Sequence, residues 1–170
     1  MRQTLRVAAY AVCVRDDRVL LARWIRHEDG APEWTLPGGG MDHGEHPHDT
    51  VVREVEEETG YEVEVTGLLG VDSVRGRHPR RGLRPARDHH AVRLVYEARV
   101  TGGELRYEVG GSTDMAAWHD LAAVPDLTRV PLVDAGLLLW LERPPAGRLQ
   151  VTDGEHPDAA GPGDGRPGGA

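Results

Sequence analysis

The sequence contains no phenylalanine and no lysine, so arginine carries all of its fixed positive charge. Its single cysteine, Cys13, excludes an internal disulfide and gives no sign of an oxidising compartment. The place of Cys13 in an apolar run predicts a buried structural thiol. No run of about 18 apolar residues is present, which excludes a membrane-spanning helix. The opening MRQTLRVAAYAV has neither the long apolar region nor the small-residue cleavage site of a signal peptide, so a cytoplasmic protein is the expectation. A formal charge of -8 argues against general nucleic-acid binding, whose affinity comes largely from cations meeting phosphates. It does not exclude small phosphorylated substrates, which need only a local patch and a metal.

What is present is the material of one domain with a real core: 170 residues, 39% of them hydrophobic and 28% charged. LRVAAYAVCVRDDRVLLARW reads as two strands joined at Asp16-Asp17, the first apolar on both faces, as in a strand covered from both sides. WTLPGGG gives a short strand that runs into proline and three glycines. A helix is predicted over 47–59, with Pro47 at its first position, Asp49 near the positive end of its dipole and Gly60 as its stop. YEVEVTGLLGVDSV alternates as a strand, residues 74–90 read as a polar loop, and AVRLVYEARV and MAAWHDL are further strands. PLVDAGLLLWLE, 131–142, is an amphipathic helix behind Pro131. From Arg143 the chain holds 7 Gly and 5 Pro in 28 residues, which predicts a disordered tail over 143–170 and a folded domain over 1–142. Strands mixed with two helices, without regular alternation, point to an α/β sandwich on a mixed sheet.

The stretch REVEEETGY, 53–61, is wrong for a helix end on local grounds. Glu56, Glu57 and Glu58 fill the last turn, where the helix dipole favours cations by roughly 0.3–1 kcal/mol each. Glu54 is spaced i,i+3 from Glu57 and i,i+4 from Glu58, so like charges face each other. Three carboxylates about 5 Å apart repel by roughly 3 kcal/mol per pair at an effective dielectric near 20. A hard dication such as Mg²⁺ or Mn²⁺, which prefers oxygen ligands, would neutralise them. A solvated acidic face balanced by Arg53 and salt is the alternative on the helix alone.

The upstream residues decide between the two. Gly39, Glu45, Arg53, Glu54, Val55, Glu57, Glu58 and Gly60 fall on G-x5-E-x7-R-E-U-x-E-E-x-G-U, where U is a bulky aliphatic residue, and only Tyr61 departs from the pattern. This resembles the signature of the Nudix hydrolases, and WTLPGG resembles that family's entry into it. The resemblance implies a Nudix-type α/β/α sandwich around a mixed β-sheet. It also implies a metal-dependent pyrophosphohydrolase that cleaves nucleoside di- or triphosphate derivatives by water attack on phosphorus. By the same resemblance Glu54, Glu57 and Glu58 are metal ligands, one of them a possible general base, and the Gly38 carbonyl completes the coordination. Arg53 would hold a neighbouring carboxylate, Glu54 or Glu45, with Glu45 an orienting partner. Some family members use a further acid on a late loop, for which Glu108 and Asp114 are the candidates here.

Residues 75–90, RGRHPRRGLRPARDHH, carry six arginines and three histidines. One reading makes Arg75, Arg77, Arg80 and Arg81 forks for substrate phosphates; the other is a solvated loop. His43, His46 and His48 beside the motif read as solvated loop histidines, Trp34 as a packing residue, and Trp118 and Trp140 as core. No downstream motif selects a substrate, which leaves nucleoside triphosphates and nucleotide-sugar diphosphates open. A small-molecule nucleotide is the expected partner, with no membrane. The family also implies a homodimer as an option and, as an alternative function, a non-catalytic nucleotide-sensing domain.

Overall fold

A computed structural model describes residues 2–25, 31–78, 87–107 and 112–149. Among these described residues eight strands and two helices follow one another as β1 (Arg2–Val12), β2 (Val14–Arg15), β3 (Arg18–Trp24), β4 (Glu33–Thr35), β5 (Gly38–Gly40), α1 (Pro47–Thr59), β6 (Tyr61–His78), β7 (Arg87–Gly103), β8 (Thr113–Asp120) and α2 (Pro131–Glu142). A 3₁₀ segment, Leu121–Asp126, joins β8 to α2. The strands form not one sheet but two of four strands: β5-β1-β7-β6, and β2-β3-β4 with β8 paired to β3. The first is mixed, because β1 runs parallel to β7 and antiparallel to β5.

β1 is apolar on both faces because each face has its own core. Ala8, Tyr10 and Val12 join the cluster that holds Leu132, Val133 and Leu139 of α2. Ala9, Ala11 and Cys13 join the one that holds Val51 and Val55 of α1. Val51 and Val55 are both 0% exposed, and burying each contributes roughly 1.5–3 kcal/mol. Asp16 and Asp17 both take positive φ, 50° and 56°, at the tight turn between β2 and β3.

α1 starts on His46, whose ring accepts the His48 N–H, so this histidine caps the helix. It ends on Gly60 at φ 75°, with the Gly60 N–H donating to the Glu56 carbonyl. A side chain at Gly60 would collide with Arg106 and with the Glu104 carbonyl, so both conformation and space call for glycine there.

Two sequence expectations need correction. Residues 74–78 and 87–90 are not loop: β6 and β7 pair without interruption from Val74↔Ala91 to His78↔Arg87, and residues 79–86 lie outside the described part. Arg75 is accommodated there by its pair with the buried Asp88. Residues 143–149, assigned by composition to a disordered tail, also pack. Arg143 pairs with Glu97, the Val71 N–H donates to the Gly147 carbonyl at 2.8 Å, and Leu149 lies against the α2 core. Residues 150–170 lie outside the described part. No helix among the described residues is long and apolar enough to cross a membrane.

Candidate active site

The glycine strand β5 and helix α1 meet at the edge of the mixed sheet. Arg53, midway along α1, is the hub. Its Nε and Nη2 donate to the two oxygens of Glu45 at 2.8 and 3.0 Å, and Nη1 donates to Glu54 at 2.8 Å and Glu57 at 3.2 Å. Nη2 also reaches the Gly40 carbonyl at 3.4 Å. A guanidinium suits this task because its planar fork offers five fixed donors. One cation therefore pairs with Glu45 and with two of the helix acids that local rules disfavour, Glu54 and Glu57. The same contacts, led by the Glu45 hydrogen bond, raise the Arg53 pKa further above its ordinary value.

Glu45 is the anchor. Its Oε2 also accepts from the Asp42 N–H at 2.9 Å and from Thr50 Oγ1 at 2.7 Å. These donors, Arg53 first, hold its carboxyl at about 2. The contributions of Asp42 and Thr50 were not read from the sequence. The Asp42-to-Glu45 spacing of three residues is the local signal that could have found the first.

Glu58 sits apart from the fork. It is 4% exposed, and its Oε2 accepts the Gly38 N–H at 2.9 Å. Gly38 has φ 141°, and a side chain there would strike Tyr10 and the Ala9 carbonyl. Gly39 is bare for another reason: an added Cβ would come within 2.6 Å of the Glu54 carboxylate. Together Glu54, Glu57, Glu58 and the glycine backbone present oxygen donors only, and the gap at Gly39 lets one carboxylate lie against the strand. That donor chemistry fits a hard dication. With Arg53 drawing Glu54 and Glu57 together, no group of three acids among the described residues encloses an ion as it stands.

The other candidates are placed as follows. Asp114, at the start of β8, is held by both ends of its carboxylate to Arg23, at 2.9 and 2.8 Å. Arg75 lies on β6 and pairs through two nitrogens with the buried Asp88. The backbone of Arg77 continues β6, while Arg80, Arg81 and Glu108 lie outside the described residues. Trp34 is half-buried against the α2 core, its ring edge-on to His119 at 4.2 Å. Trp118 and Trp140 are half-buried rather than core, their indole N–H groups donating to Tyr61 and Glu97. An open cavity of about 970 Å³ runs along the solvent side of α1, lined by His48, Val52, Arg53, Glu57, Arg106 and Tyr107 among others.

The NUDIX domain model matches residues 4–141, most of the chain. The protein belongs to the Nudix family. An ADP-ribose pyrophosphatase of Methanocaldococcus jannaschii is 34% identical over 121 residues, 71% of this chain and 65% of that protein. A MutT-like protein of Streptomyces ambofaciens is 40% identical over 100 residues, 59% of this chain and 55% of that protein. This Nudix chain thus spans less than two thirds of the length of either relative. Among solved structures, a MutT NUDIX hydrolase from Burkholderia pseudomallei superposes with a TM-score of 0.56 at 32% identity, covering 82% of this chain and 98% of its own. A NUDIX hydrolase from Nitrosomonas europaea reaches 0.65 at 22% identity, covering 89% and 100%, and speaks for the Nudix fold alone.

Proposed function

We propose that the protein hydrolyses the pyrophosphate bond of nucleoside diphosphate derivatives, by attack of water on phosphorus, with Mg²⁺ or Mn²⁺ as cofactor. The observation that carries this reading is the gathering of Glu45, Glu54 and Glu57 by Arg53 beside a glycine strand that leaves the Glu54 carboxylate room. Glu54, Glu57 and Glu58 would hold the dication, with the Gly38 carbonyl as a further donor. Such an ion, when bound, withdraws charge from phosphate oxygens and acidifies bound water. The protein's own part is alignment. Glu45 fixes Arg53, Arg53 fixes Glu54 and Glu57, and the Gly38 N–H fixes Glu58. Glu57, whose side chain is 52% exposed, is the acid best placed to accept a proton from the attacking water. Phosphoryl-type transfer depends chiefly on such positioning and charge neutralisation.

Between the two substrate classes, similarity to an ADP-ribose pyrophosphatase favours nucleotide-sugar diphosphates. The test is release of mononucleotide from ADP-ribose and from a panel of nucleoside triphosphates, with Mg²⁺ or Mn²⁺, for wild type and Glu57→Gln. Release that EDTA abolishes, with kcat lowered about 10²–10⁴-fold in the variant, is the expected result. A wild type that cleaves none of them, with either metal, overturns the proposal.

A further inference from the structure

The three glycines of β5 are each meshed with a different side chain, and the third, whose carbonyl reaches Arg53, faces a second arginine on its other side. Successive residues of a strand face opposite sides of a sheet. The bare face of Gly39 looks at Glu54, on the α1 side. Gly38 looks at the Tyr10 ring, and a Cβ on Gly40 would come within 3.2–3.6 Å of the Arg6 guanidinium. Arg6 and Tyr10 belong to the face of β1 that also carries Ala8, opposite the face buried under α1. The register pairs Ala8 with Arg93 of β7 and Arg93 with Asp72 of β6. Arg93 is only 6% exposed, and its Nη1 meets Asp72 at 3.2 Å.

This face therefore brings Arg6 and Arg93 near Tyr10, which is 2% exposed. Burial, first, raises the Tyr10 pKa; the charges of Arg6 and Arg93 act against that shift and those of Glu58 and Glu54 with it. One phenol thus feels the acids of the site and the cations of the sheet. Gly39 and Gly40 are neighbours in an edge strand, so the Glu54 carboxylate and the Arg6 guanidinium lie against its two opposite faces, and only the strand's free edge connects them. A group bridging them must be anionic at the Arg6 end and able to reach the carboxylate site at the other.

We infer that Arg6, half-buried over Gly40, binds the phosphate of the substrate's diphosphate that is not attacked, and so positions the attacked one over Glu54, Glu57 and Glu58. This rests on the hydrolase reading above. A guanidinium has five donors, enough to keep its contacts within the protein and still hold a phosphate by a two-toothed contact. Arg53, with its donors on three carboxylates, is engaged in a different task. A Cβ at position 40 would sit 3.2–3.6 Å from the Arg6 guanidinium, close enough to make its head give by a few tenths of an ångström.

The test uses the full chain with Mg²⁺ present. Binding of the non-hydrolysable probe α,β-methylene-ADP is measured by calorimetry, and hydrolysis of ADP-ribose by its kinetics, for wild type, Arg6→Ala and Arg6→Lys. Thermal melting checks that each variant is folded. Arg6→Ala is expected to raise both the probe's Kd and KM on the order of 10–100-fold, with kcat changed far less, and Arg6→Lys to recover part of the loss. Wild-type hydrolysis with Kd and KM within twofold in both variants overturns the role of Arg6 and leaves the hydrolase intact. Probe binding that depends on Arg6, with no hydrolysis by the wild type, supports the phosphate contact and overturns the enzymatic reading.

Discussion

Arg53 and Glu45 are joined by two parallel hydrogen bonds, Nε to Oε1 at 2.8 Å and Nη2 to Oε2 at 3.0 Å. They are eight residues apart, one in the loop before α1 and the other deep in the helix. The pair fixes the height of the guanidinium relative to the glycine strand, and through Nη1 the positions of Glu54 and Glu57. Geometry of this kind discriminates more than it stabilises, because a planar fork tolerates little displacement.

A pH dependence follows. The Glu45 carboxyl titrates near 2 in the folded chain, against 4.5 for the ordinary side chain, because Arg53 and then Asp42 and Thr50 hydrogen-bond its charged form. A depressed acid stabilises the fold fully above its unfolded value, and that contribution fades as pH falls from about 4.5 through about 2. Glu45→Gln should be less stable than wild type at pH 7, with the gap closing over that window. Glu97 and Asp114 are depressed as well and act in the same direction, so the difference between the two proteins is what must be followed. Chemical denaturation at several pH values measures it, and a gap that persists unchanged at pH 2 would contradict the assignment.

Gly39→Ala separates stability from activity. The three atoms nearest the new methyl all belong to the end of the Glu54 side chain, which would have to shift from its contact with Arg53. The melting temperature should change little, whereas hydrolysis should fall on the order of 10²-fold, the cost of displacing a positioned group by about 1 Å. Equal activity in the variant would show that the position of Glu54 is not critical.

The thiol of Cys13 is 1% exposed, and burial pushes its pKa up to about 12. It should be inert to a thiol reagent at pH 8 in the native protein and react at the full rate in denaturant. Rapid native labelling would place Cys13 outside the core beneath α1.

Much of this was legible in the chain. Both helices were bounded in advance because their punctuation is local: Pro47 and Gly60 for α1, Pro131 for α2. The acids of α1 announced themselves by violating the dipole rule. What escaped was non-local. The pairing of Arg75 with Asp88, and of the strands around them, is carried by partners across a hairpin, while locally the arginines and histidines look like a loop. Nothing near position 6 signals that its arginine will lie over a glycine 34 residues away, since that depends on the β1–β5 register of Ala8↔Gly40 and its neighbours. The division of the strands into two sheets is likewise set by long-range pairing.

The seven residues that follow α2 act as a latch. The Gly147 carbonyl lies where any side chain on Gly70 would have to go, and it takes the N–H of Val71, while Leu139 of α2 closes the same spot from the other side. Helix and bulged strand are thus fastened by two opposed glycines with no room for a third atom. A protease cut or premature stop between 143 and 147 would undo the catch and bare Leu69 and Leu139, both now at 5% exposure or less. A chain ending at Glu142 would lose both the Gly147–Val71 bond and the Arg143–Glu97 pair that fasten its second helix.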